Sequence, residues 1–158
     1  MYKPGGNMEK LERIIFVARS GGCREPMAMG ILKDLSLKDD VEIIARGLVV
    51  SFPEPMNGKA EAVLISNGIT VENFVSKELT NEDITEGTLV LAMEHKHREK
   101  ILSRFPNATV ENTHVLTDYV GDELEIIDPY GGMLQSYGLC YETLRKSLKK
   151  LVKILDEE

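Results

Sequence analysis

The sequence predicts an α/β fold: a small doubly wound four-stranded parallel sheet with helices on both faces and a phosphate-binding loop after the first strand. Three observations carry this. The apolar runs Ile14 to Val17 and Thr88 to Met93 lack the polar alternation of a half-solvated strand, so they read as strands buried on both faces. Segments of helical spacing separate the strands, and the opening order strand-loop-helix-strand in one sheet implies a right-handed crossover. Between the first strand and the first helix lies VARSGGCREPMAMG, Val17 to Gly30, a glycine-bearing loop of the kind that holds anions.

Taken in order, Leu11 to Val17 is the first strand and Met27 to Leu37 the first helix, with Pro26 at its first position because the missing N–H would be unpaired there. Val41 to Ala45 is a second strand ending at Gly47. Leu48 to Gly58, LVVSFPEPMNG, is too broken by proline for a regular element and reads as a surface loop. Lys59 to Asn67 is a helix stopped by Gly68, and Thr80 to Asp83 has the form of a helix-start box. Thr88 to Met93 is the third strand, Lys96 to Phe105 a short helix, and Ala108 to Leu116 a fourth strand of weaker pattern. Tyr137, Tyr141, Leu144, Leu148, Leu151 and Leu155 recur in steps of four and three, an apolar stripe on a long last helix that covers one face of the sheet.

The loop carries the chemistry. Gly21 and Gly22 permit backbone conformations that aim several N–H groups at one point, and the positive end of the following helix faces the same point. Arg24, held there, presents two donors in a fork that matches an oxyanion. The candidate anion-binding residues are Arg19, Ser20, Gly21, Gly22, Cys23 and Arg24.

This frame resembles the low-molecular-weight protein tyrosine phosphatase family, in which a strand ends in Val-Cys, five residues follow, and Arg-Ser-Pro opens a helix. Val17, Arg24 and Pro26 match; Ala18 stands at the nucleophile position, Gly21 at an Asn and Glu25 at the Ser. Near the other end, Asp128-Pro129-Tyr130-Gly131-Gly132 resembles the family's DP-aromatic-GG loop, and Ala45-Arg46-Gly47, Glu54 to Asn57 and TLVLAM resemble its middle segments. The resemblance implies an attacking thiolate, an Arg clamp (Arg24), a general acid (Asp128) and an aromatic slot wall (Tyr130). Ala18 can attack nothing, and Cys23, five residues on, is not at the strand end where the amides converge. The family's usual disulfide partner of Cys23 is the absent cysteine at 18, so the implied intraloop redox switch is lost.

The leading expectation is therefore a phosphatase-like protein with its oxyanion cradle retained and its nucleophile missing, catalytically inactive. The rivals are a non-catalytic module that binds phosphate, sulfate, a phosphorylated ligand or a protein partner through the same groove, and an active phosphotyrosine phosphatase whose natural cysteine has been replaced at position 18. Asp128 reads equally as an acid or as a turn former before Pro129, and Phe52 as a slot wall or a loop anchor. Cys23 and Cys140 read as packed residues without a disulfide framework.

At 158 residues the chain is expected to be one domain, Leu11 to Glu158, after a loose segment Met1 to Lys10. Nineteen basic against 26 acidic residues give a net charge of −7, an unsuitable field for nucleic acid. No apolar signal region or membrane-length run is present, so a cytoplasmic location is expected. Glu94-His95-Lys96-His97 invites a metal reading, but the imidazoles would point apart on a helix without a third ligand; these four read as solvated helix-start residues. No metal or cofactor is expected.

Overall fold

The structure, a computed structural model, describes residues 10–157; the loose segment expected at 1–10 lies, but for Lys10, outside the described residues. Four strands, β1 (Arg13–Ala18), β2 (Glu42–Gly47), β3 (Thr88–Ala92) and β4 (Thr113–Val115), form one sheet in the order β2-β1-β3-β4, and every neighbouring pair is parallel. Among the described residues five α-helices connect or flank them: α1 (Arg24–Leu35), α2 (Gly58–Ser66), α3 (His95–Arg104), α4 (Leu116–Val120) and α5 (Leu134–Asp156).

The predicted sheet and its two covered faces are both present. Ile14, Phe16, Leu89 and Leu91 point to the face packed by α1, α2 and α5, while Ile15, Val17, Val90 and Ala92 point to the face packed by Leu79, Ile84, and Ile101 and Phe105 of the α3 side. This alternation explains the unbroken apolar runs: both faces of the central strands exclude water. The six-residue stripe on α5 is buried throughout, from Tyr137 to Leu155. Asn57 caps α2, its Oδ1 accepting from Lys59 N at 3.0 Å and Ala60 N at 3.1 Å, and Gly68 at φ 77° ends that helix as expected.

Three expectations are corrected, the two ends of α1 and the extent of the fourth strand. Helix α1 begins at Arg24, three residues early, because none of the first-turn N–H groups has an intrahelical partner and Pro26 forfeits nothing there. It ends at Leu35, where Ser36 turns to φ 65°. The helix-start box expected at Thr80 to Asp83 is formed, and it opens a three-residue 3-10 helix, Asn81–Asp83. The fourth strand shrinks to Thr113–Val115, since Thr109 and Asn112 bond each other reciprocally, backbone N–H to side-chain oxygen, and hold a turn where a strand was expected; Leu116 then starts the unpredicted α4.

Candidate active site

The loop between β1 and α1 sits at the carboxyl ends of the central strands, the position where open α/β sheets take their ligands. Its shape depends on two glycines. Gly21 lies at φ 80°, which a side chain rarely tolerates, and a Cβ on Gly47 would fall 2.5 Å from Gly21 N. The end of β2 thus presses directly against the loop backbone. Leu48 N donates to Ala18 O and Val49 N to Arg19 O, both at 2.9 Å, and Asn57 N donates to Gly22 O at 2.9 Å, so the segment after β2 clamps the loop's other side.

Above the loop lies a groove of about 490 Å³ lined by Arg19, Ser20, Gly22 and Cys23, by the wall Val49 to Phe52, and by Asp128 and Tyr130. Arg19, Ser20, Gly22, Cys23, Phe52, Asp128 and Tyr130 are thus brought to one place from three distant segments. Phe52 and Tyr130, both among its lining residues, stand 69% and 79% exposed. Asp128 is held by its own turn, with Oδ1 accepting from Tyr130 N at 3.0 Å. Ala18 ends β1 and is buried.

Two predicted features are placed differently. Arg24 does not line the groove; it is 3% exposed, and its Nη1 donates to Glu94 Oε2 at 2.7 Å and to the carbonyl of Ile126 at 2.6 Å, while Nη2 lies 3.7 Å from Asp128 Oδ2. Glu25, which the resemblance sets at the family's Ser position, is inside the loop: it is 1% exposed and its Oε2 accepts from Gly21 N at 2.6 Å. Burial pushes the Glu25 carboxyl up from its ordinary range, against the lowering effect of N–H groups from Glu25 itself, Gly21 and Cys23 and of the Arg24 charge.

The solvated reading of Glu94 to His97 holds for the exposed His95 and Lys96 and is corrected for Glu94 and His97. Glu94 stands at the N-cap position of α3 without a side-chain cap bond, and its carboxylate pairs instead with Arg24; burial would raise its carboxyl, and the Arg24 hydrogen bond and charge outweigh this and hold it low. His97 is 3% exposed with no hydrogen-bond partner on either ring nitrogen, and burial, helped by the Arg24 charge, depresses it to about 4. His95 is exposed but bound on both sides, Nδ1 to Glu125 and Nε2 to Asp118 at 2.6 Å each. Sequence reasoning missed these contacts because the partners of Arg24 and His95 lie 23 to 102 positions away. Among the described residues no group of three metal-ligating side chains assembles. Cys23 and Cys140 are free and buried, and burial pushes each thiol up to about 12.

An amide-rich loop between a parallel strand and a helix, facing an aspartate-bearing turn across an aromatic-rimmed groove, defines a phosphatase-type scaffold. The family model for low molecular weight phosphotyrosine protein phosphatase matches residues 13–158, and the chain belongs to that family. It is 33% identical over 150 residues to a protein-arginine-phosphatase of Bacillus subtilis strain 168, covering 92% of this chain and 97% of the relative. It is 29% identical over 143 residues to the low molecular weight protein-tyrosine-phosphatase PtpB of Staphylococcus aureus, covering 90% and 99%. The YwlE arginine phosphatase structure from Geobacillus stearothermophilus superposes with a TM-score of 0.85 at 32% identity, over 92% of this chain and 94% of that one.

Proposed function

We propose that this chain is a non-catalytic member of its family, a phosphatase scaffold that holds a groove without the atom that attacks phosphorus. The observation that carries this is Ala18. It occupies the end of β1, where the family resemblance implies the nucleophile, and offers only a buried methyl. Cys23 is no substitute, because a buried thiol pushed up to about 12 supplies almost no thiolate near neutral pH.

A second reading, a binding module, is favoured by Phe52 and Tyr130, which stand exposed on either side of the groove with no role in the core. Its occupant would be a phosphorylated ligand or a peptide segment of a partner protein. The relatives act on protein arginine and protein tyrosine phosphates by name, and both groups are planar enough for an aromatic-walled slot.

The test is hydrolysis of p-nitrophenyl phosphate by the purified full chain. No turnover above a buffer blank is expected. Turnover that disappears in Asp128→Ala would overturn the non-catalytic reading, whereas turnover unchanged in that variant would come from a contaminant.

A further inference from the structure

Among the donors that the sequence assigns to an external oxyanion, the Gly21 N–H and the Arg24 guanidinium are already engaged from within the chain. Glu25 Oε2 accepts from Gly21 N at 2.6 Å, the N–H groups of Cys23 and of Glu25 itself also act on the carboxylate, and the residue is 1% exposed. Burial pushes the Glu25 carboxyl up from its ordinary range, and the loop N–H groups, the Arg24 charge and the positive end of the helix dipole, Glu25 being the second residue of the twelve-residue α1, act against this in favour of the charged form. Arg24, the other oxyanion device, is committed to Glu94, the Ile126 carbonyl and Asp128.

Chain length explains why a glutamate does this. Gly21 stands four positions before Glu25, and its φ of 80° turns its N–H inward. Two methylenes let the Glu25 carboxylate fold back to that N–H. A serine at 25 would carry its oxygen on one carbon and no formal charge. Two anions in one small amide nest repel each other strongly once water is excluded.

We propose that Glu25 is an internal ligand of this loop: its carboxylate takes the place of an oxyanion, and an external phosphate or phosphate ester binds only where Glu25 is displaced or removed. The proposal deepens the binding reading above, because it makes any phospho-ligand compete with a side chain of the protein itself. It is independent of turnover, so its failure and the failure of the non-catalytic reading are separate results.

The experiment is a titration of the full chain with inorganic phosphate, read by amide chemical shifts of residues 19–25 and by calorimetry. The wild type is expected to show no saturable shift at Gly21. Glu25→Ser should bind phosphate at least about tenfold more tightly, and its Gly21 amide resonance should move before any phosphate is added, because its carboxylate partner is gone. Glu25→Gln keeps the shape and an acceptor oxygen but not the charge, and should also gain affinity, which covers a failure of the serine variant to fold. Equal phosphate affinity in wild type and both variants, or a Gly21 resonance indifferent to the serine substitution, would overturn the proposal.

Discussion

Arg24 and Glu94 form an ion pair at 2.7 Å across 70 positions of sequence, tying the first turn of α1 to the residue just before α3. The arginine is 3% exposed, so its charge depends on the few acceptors within reach. A buried guanidinium stripped of its main carboxylate keeps only the Ile126 carbonyl and the more distant Asp128.

Glu94→Ala is therefore expected to destabilise the fold by about 3 kcal/mol, the range for breaking a buried pair on one side. Glu94→Gln should have a smaller effect, because its amide oxygen still accepts from Nη1. Urea denaturation of the three proteins measures this. A Glu94→Ala midpoint equal to wild type would show that Arg24 is held by other means.

His97 gives the fold an acid sensitivity whose sign follows from its depressed titration near 4. Above the ordinary histidine value of about 6.5 the ring is neutral folded or unfolded and contributes no pH dependence. As pH falls from there towards 4, the unfolded chain takes up a proton that the folded chain refuses, and stability is lost; below 4 the loss is complete. His97→Leu should remove this component and, at neutral pH, be neutral or stabilising, since it also removes two unpaired buried nitrogens. Denaturation midpoints of the two proteins should diverge as the pH falls from about 6.5 towards 4, the wild type losing more than His97→Leu; parallel curves would contradict the assignment.

Gly47 sits where no side chain fits. A Cβ there would lie 2.5 Å from Gly21 N and 2.5 Å from the Ser20 carbonyl carbon, both backbone atoms that cannot swing aside. Gly47→Ala should destabilise by about 1–3 kcal/mol, as overpacking does, and should shift the amide resonances of residues 20–22 more than those of β2 itself. Unchanged loop resonances would mean that the contact is relieved elsewhere.

These cases mark what the chain's pattern reveals. The α5 stripe and the two-faced strands were legible because they are local periodicities, repeated over many residues that a packed face needs at once. The groove was legible because the loop after β1 and the turn at Asp128 each carry their own backbone requirements. The role of Glu94 was not, since a Glu before a polar helix looks solvated until the fold brings Arg24 to it. Glu25 was singled out by type, yet its place inside the loop depends on a side chain folding back to Gly21. The short β4 and the unpredicted α4 followed from the Thr109 and Asn112 pair, a local contact with no apolar period.

The last prediction concerns repair of the site. Ala18→Cys alone should restore little hydrolysis of an aryl phosphate, and Ala18→Cys with Glu25→Ser should restore at least about tenfold more. An ordinary thiol titrates near 8.5 and needs amide donors to become a thiolate at neutral pH. In this loop the Gly21 N–H is already given to Glu25. A carboxylate about 5 Å from the sulfur, at an effective dielectric near 20, would oppose the thiolate by roughly 3 kcal/mol, and the incoming phosphate would feel the same repulsion. Serine removes the charge, frees the amide and supplies a hydroxyl donor. Because both substitutions act on one reacting atom, their effects on kcat/KM should be more than additive. Glu25→Ser alone should stay inactive, having room for phosphate but nothing to attack it. Rates measured for all four proteins close the cycle, and equal activity in the single cysteine variant and the double variant would show that the missing sulfur alone silences this loop.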